Sequence, residues 1–225
     1  MAMTGEMLKL LALVAMTADH IGVVLFPQTE LLRLVGRLAF PIFAFLIAEG
    51  CRYTRHMGKY LGKMGLMAAV CQGVYFFAMG SVYQCVLVTF SLSIGLIWLV
   101  QTAQKKPGFW GVFLLGLGAV YFLTVSLPGL LDGTDYAVDY GLWGVLLPVA
   151  VYLGRTKWER LGLCALMLTV LALDSAPIQF YSLLSLPILS LYNGKRGKGL
   201  GKYFFYLYYP VHLAVLQGIA WILPK

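Results

Sequence analysis

The sequence predicts an all-α fold, a polytopic bundle of about nine membrane-spanning helices, and three observations carry that prediction. Of 225 residues, 60% are hydrophobic and 12% charged, where a soluble domain carries about a quarter charged. The mean hydropathy is +0.82, more apolar surface than one soluble core hides, so the bilayer is the expected solvent. The basic residues also fall in alternate loops. A disordered chain, a fibrous chain and a soluble enzyme are thereby excluded.

A crossing takes about 20 apolar residues. The first stretch is Leu8 to Phe26. Lys9 ahead of an apolar run with small residues resembles a signal peptide, but Asp19-His20 would then sit at the cleavage region and the apolar pattern continues through Ile21 to Phe26, so a retained helix is expected. Leu31 to Gly50 follows, then Met64 to Met79, Gln84 to Thr102, Gly108 to Leu127 and Ala137 to Leu153. Leu161 to Leu173, Ile178 to Tyr192 and Tyr203 to Leu223 complete the nine, several of them short for a straight crossing.

The loops test this division. Arg52, Arg55, Lys59 and Lys63 follow the second span, and Lys105 and Lys106 the fourth. Arg155, Lys157 and Arg160 follow the sixth, and Lys195, Arg196, Lys198 and Lys202 the eighth, so thirteen of the 17 basic residues occupy alternate loops. The intervening loops hold Glu30, Ser81, Asp132, Asp135 and Asp174. This asymmetry puts the N-terminus and the basic loops in the cytoplasm and the C-terminus outside. The net charge of +8 is then topological, and nucleic acid is an unnecessary reading.

Cys51, Cys71, Cys85 and Cys164 show no CxxC and no regular spacing, which supports buried inert thiols rather than a disulfide framework or a zinc site. With no internal repeat and no long linker, residues 1–225 read as one domain. Gly111, Gly116, Gly118, Gly141 and Gly144 are expected to let helices approach closely. Homo-oligomerisation stays open.

Ionisable residues in hydrocarbon are functional candidates by default. At about 1.5 Å of rise per residue, His20 lies roughly 18 Å above the inner face, His212 roughly 15 Å and Arg37 about 21 Å. Asp19 precedes His20, but adjacent helical positions point about 100° apart. The expected arrangement therefore pairs Asp19 with Arg37 and turns His20 toward a cavity. Pro41 and Pro210 are expected to bend their helices beside this level. Arg52, Arg55, His56, Lys59 and Lys63 form one cationic cluster, and the glycine-rich run Gly194 to Lys202 forms another. Both suit phosphate groups, but taken alone the positive-inside rule with anionic lipid contacts is the favoured reading. Glu49 is expected to pair with Arg52 at i+3.

The stretches Met16 to Gly22, Gly36 to Gly50, Tyr53 to Arg55, Asp139 to Gly144, Tyr192 to Gly197 and Tyr206 to Leu213 resemble the TraX family of membrane acetyltransferases. Residues from about Gly73 to Leu131 contribute little to the resemblance. The resemblance implies a multi-pass protein of the bacterial cytoplasmic membrane that takes acetyl from acetyl-CoA. The family's namesake acetylates pilin N-termini; the acceptor here can be such an amine or a hydroxyl. It implies a nucleotide head group on Arg52, Arg55, His56, Lys59, Asn193, Lys195 and Arg196, with the uncharged pantetheine arm entering the bundle. His20 then serves as general base or transient nucleophile, Asp19 orients, and Arg37 pairs with Asp19 or stabilises the oxyanion. Asp139, Tyr140, Tyr208, His212 and Glu49 border the substrate cavity. No metal is called for. A proton-coupled transporter built on the same buried Asp, His and Arg is the rival reading, and a non-catalytic assembly protein a third.

Overall fold

The computed structural model describes residues 2–199 and 201–222; of Ala78, Lys202, Tyr203, Phe205 and Tyr206 it describes only the backbone. The side chain of Lys202, counted among the loop cations, and Leu223, the expected end of the last span, lie outside the described residues. Among the described residues all regular structure is helical, with two isolated bridges, Met3 to Tyr192 and Gln84 to Val138. The α-helices are α1 (Gly5–Val24), α2 (Glu30–Gly36), α3 (Ala39–Tyr53), α4 (Met57–Met79), α5 (Val86–Lys105) and α6 (Trp110–Tyr121). They continue with α7 (Leu127–Leu130), α8 (Gly141–Leu153), α9 (Lys157–Leu173), α10 (Ser185–Ser190) and α11 (Lys202–Ile222). The molecule is a helical membrane bundle. Four runs are long and apolar enough to cross a membrane: Gly5–Val24, Glu30–Tyr53, Val86–Lys105 and Pro107–Leu130. They correspond to the first, second, fourth and fifth expected spans. Large apolar side chains such as Phe77, Leu115, Leu173 and Trp221 face outward, as lipid solvation requires.

The prolines account for the irregular segments. Pro41 stands in the first turn of α3, where a missing N–H is tolerated, and leaves the Arg37 carbonyl without its helical partner. The expected bend is therefore a break, with a turn at Arg37–Leu38 separating α2 from α3. Pro210 instead sits inside a continuous α11. The segment expected as one helix over Ile178 to Tyr192 is a 3-10 helix, Pro177–Leu184, followed by α10; Pro187 removes the donor that an α-type bond to Leu183 needs.

Two compact units make up the chain, Met1–Leu46 with Cys164–Lys225, and Ile47–Leu163. In the first, α1 starts at Thr4, whose hydroxyl accepts the Met7 N–H at 3.4 Å. The next segment to reach this end is the glycine-rich loop. Gly5 and Glu6 donate to the carbonyls of Lys195 and Arg196 at 2.8 and 2.9 Å, so the first-turn amides that helices usually leave open are occupied by backbone. Gly197 and Gly199 fit because a Cβ there would collide with Thr4 and Glu6. The α1–α2 approach has the same origin: a Cβ on Gly22 would stand 2.9 Å from the Leu32 Cβ, and one on Gly36 would overlap Asp19.

In the second unit, Ser93 on α5 donates to the Val145 carbonyl of α8 at 2.8 Å. A Cβ on Gly116 would meet Leu99 at 2.6 Å, whereas Gly111, Gly118 and Gly141 face open space. Close approach in α6 thus rests on Gly116, and the expectation for Gly111, Gly118 and Gly141 is corrected. Gly141 answers a backbone need instead, with φ of 54° following Tyr140 at φ 60°. All four cysteines are buried with free thiols. In lipid, apolar burial between helices gains little, so packing and polar contacts hold such a bundle together.

Candidate functional site

Within the first unit, α1, the α2–α3 junction, the 3-10 helix and α11 contribute polar side chains to two hydrogen-bonded networks that meet at the adjacent α1 residues Asp19 and His20. Asp19 of α1 accepts from Arg37 Nη2 at 2.8 Å and from Arg33 Nε at 3.2 Å. Arg33 and Arg37 are one helical turn apart, so both reach the same carboxylate. The Asp19 and Arg37 side chains are 17% and 11% exposed, sheltered enough for the pairing to outlast salt screening. Arg37 Nη1 also donates to Gln179 Oε1 at 3.2 Å.

His20 points away from this pair, as the 100° helical step requires, and meets His212: His20 Nδ1 and His212 Nε2 stand 2.9 Å apart. His212 Nδ1 lies 2.8 Å from the Tyr208 carbonyl, which can only accept. His212 therefore carries its proton on Nδ1 and offers the Nε2 lone pair, into which His20 Nδ1–H donates. His20 Nε2 is left with a lone pair, the form a general base needs. Tyr208 stacks on His212 at 5.1 Å and 17°, and Tyr209 meets His20 edge-on at 6.1 Å. Thr17 gives its one hydroxyl proton to Leu13 O at 2.8 Å, so the Tyr208 hydroxyl donates to Thr17 Oγ1, also at 2.8 Å.

Asp19, His20, Arg37, Tyr208 and His212 thus belong to these networks. Arg33, Gln179, Ser182 and Thr17 were not foreseen. Asn193 is a turn former whose side chain accepts the Lys195 N–H at 2.9 Å. Lys195 and Arg196 are exposed beside it, with Arg196 Nε 3.7 Å from the buried Glu6, which also pairs with Lys9 at 2.9 Å. His20 lies fifteen residues beyond Gly5, about 22 Å along α1 from this basic loop.

The second unit holds the other candidates. Glu49 pairs with Arg52 at 3.4 Å, as expected, and with Arg160 at 2.7 Å. Arg52 also donates to the carbonyls of Val151 (3.1 Å), Tyr152 and Gly154 (2.6 Å) at the end of α8. Its donors are turned into the protein, while Arg55, His56 and Lys59 are exposed. Asp139 accepts from the Tyr83 hydroxyl at 2.7 Å. Burial first, and the Asp139 charge second, hold the Tyr83 phenol well above its usual range. Tyr140 follows in the left-handed region. Asp135 accepts from the Ser81 hydroxyl at 2.5 Å and the Val82 N–H at 2.9 Å, which hold its carboxyl below the usual range.

Fold and site together define a helical membrane protein with a histidine pair beside a half-buried arginine–carboxylate cluster. The chain belongs to the TraX family, whose model, described as TraX protein, matches residues 4–220. It is similar to a probable fimbrial assembly protein FimC, serogroup H1, of Dichelobacter nodosus, 28% identical over 93% of this chain and 92% of that protein. Protein TraX of Escherichia coli is also 28% identical, over 96% of this chain and 86% of its own length, as is that of strain K12. No solved structure matches the chain.

Proposed function

We propose that the protein is an acyl-CoA-dependent acetyltransferase, a multi-pass protein of the bacterial cytoplasmic membrane with its basic loops inward. It moves acetyl from acetyl-CoA to an amine, first of all a pilin-like N-terminus, or to a hydroxyl at the membrane or its outer face. The observation that carries the reading is the order of protons from His20 through His212 to the Tyr208 carbonyl, which supports a basic His20 Nε2. The acceptor gives its proton to Nε2 as its nitrogen or oxygen attacks the thioester carbon, and the sulfur leaves with that proton as the CoA thiol. Asp19, held by Arg33 and Arg37, ties α2 to α1 beside His20 and so orients it. Lys195 and Arg196, at the start of the helix that carries His20, take the phosphates, with Asn193 shaping the turn. Arg55, His56 and Lys59 supply a second cationic surface for phosphate or anionic lipid.

Purified protein in lipid nanodiscs with labelled acetyl-CoA and a synthetic pilin N-terminal peptide tests the reading; the fimbrial name of the Dichelobacter nodosus relative motivates the peptide. Label on the peptide supports it. Absence of label on every amine and hydroxyl acceptor, with proton flux into liposomes, would replace it by the transporter.

A further inference from the structure

The 3-10 helix Pro177–Leu184 has three residues per turn, so side chains three apart eclipse one another. Gln179, Ser182 and Ser185 therefore form one stripe, and all three are buried. Gln179 is 4% exposed and Ser182 0%. Ser185 spends its hydroxyl proton on the Ser182 carbonyl at 2.7 Å. Gln179 Nε2 and Ser182 Oγ, by contrast, have no hydrogen-bond partner. The Gln179 amide cannot turn round to escape this. Its oxygen receives Arg37 Nη1 at 3.2 Å, and a guanidinium only donates, so the NH2 group must face the other way. A buried donor left without a partner is destabilising, which is understandable where a ligand supplies the acceptor.

We propose that Gln179 Nε2, seconded by Ser182 Oγ, is the donor site for the acyl carbonyl oxygen; this rests on the acetyltransferase reading. Arg37 spends one nitrogen on Asp19 and another on Gln179, so it acts as a positioning residue and hands the oxyanion role to the amide. The local charge agrees. Two arginines face one carboxylate in this network, which leaves a surplus positive charge that favours an oxygen turning negative. As the acceptor nitrogen or oxygen bonds to the thioester carbon, its proton passes to His20 and the carbonyl electron pair moves onto oxygen, where the Gln179 N–H receives it. The pair returns, the C–S bond breaks, and the sulfur departs with the His20 proton as CoA thiol.

The test is acetyl transfer by nanodisc-reconstituted wild type, Gln179→Glu and Ser182→Ala, with acetyl-CoA affinity measured by calorimetry. Gln179→Glu keeps an oxygen for Arg37 and deletes the donor. Its kcat is expected to fall about 10²–10³-fold, as for loss of one oxyanion donor, with KM for acetyl-CoA within about twofold. Ser182→Ala, a fold-safe truncation, is expected to lose about tenfold in kcat, near the worth of one hydrogen bond. Wild-type kcat in Ser182→Ala and in folded Gln179→Glu overturns the inference and leaves the acetyltransferase reading intact. No label transfer by the wild-type chain overturns the reading and the inference with it.

Discussion

Two clusters in this molecule have the same composition, a carboxylate flanked by two arginines, half-buried in one case and buried in the other. Asp19 holds Arg33 and Arg37 in one compact unit, and Glu49 holds Arg52 and Arg160 in the other. They differ in where the remaining hydrogen-bonding capacity goes. Arg52 runs on into the last carbonyls of α8, and Arg160 into the Arg155 carbonyl. The atoms left over there, Glu49 Oε2 and the Nε atoms of Arg52 and Arg160, are an acceptor and two donors of the same ion pairs. That cluster closes on itself and on backbone, as a clamp that ties α3 to the end of α8 and the start of α9. Around Asp19 the chain of bonds ends on a side-chain amide, beside a hydroxyl with no partner and a histidine pair with ordered protons. A buried ion pair is weak evidence of either stability or function by itself; its terminus separates the two.

The largest effect that sharpens this contrast is on stability. Glu49→Gln removes the countercharge of two half-buried arginines and is expected to cost about 3–5 kcal/mol, while the proposed acetyl transfer per folded molecule is expected to stay unchanged. The four buried thiols make labelling by a thiol-reactive dye during heating a direct readout. Loss of specific transfer without loss of stability would erase the distinction between the clusters.

His212 comes next. His212→Ala removes the acceptor for His20 Nδ1–H, and transfer is expected to fall about ten- to hundredfold, part of what a general base supplies. His212→Gln can present an amide oxygen to the same proton, and should recover much of that loss; a purely packing role would give no such rescue.

Gly36→Ala drives a Cβ into Asp19 and pushes α2 from α1. About 1–3 kcal/mol of destabilisation is expected, the usual cost of overpacking. Gly118→Ala, with nothing nearby, is expected to leave stability unchanged or raise it by up to about 1 kcal/mol through helix propensity. Equal melting shifts in the two variants would contradict the packing assigned to α1 and α2.

The smallest effect is at the loop anchor. The Asp135 carboxyl sits below its ordinary value because Ser81 and Val82 donate to it, so its stabilising contribution is present above the unfolded-state value and fades as pH falls through the lower folded one. Protection of the Val82 amide, its exchange measured against the intrinsic rate at each pH, should therefore fall at pH below the normal carboxylate range in wild type. In Asp135→Ala, which removes the acceptor, protection should be low at all pH values.

Helical membrane architecture was legible because apolar content and alternating basic loops are properties of composition and order. The pairing of Asp19 with Arg37 followed from helical rise and from the 100° step that parts Asp19 from His20. Depth arithmetic put His20 and His212 within a few ångströms of one level, but which ring nitrogen faces which is a matter of rotamer and helix rotation that no spacing encodes. Arg33 was readable in principle, four residues before Arg37 on one helix face. Gln179 and Ser182 were hidden because a period of three makes a face only on a 3-10 helix, and Ile178 to Tyr192 reads as an ordinary apolar span. Pro41 and Pro210 look alike in sequence and act differently: one lies in a first helical turn after a break, the other inside a helix.

The central claim, that the His20–His212 network performs chemistry where the Glu49 cluster only holds the fold, is tested most directly by acetyl transfer from labelled acetyl-CoA in matched nanodiscs. Wild type and His20→Ala are compared at equal folded concentration. The proposed function predicts label on the peptide acceptor for wild type and a loss of at least about 10²-fold for His20→Ala, with thermal stability within a few degrees. Undiminished transfer by a folded His20→Ala protein would contradict it.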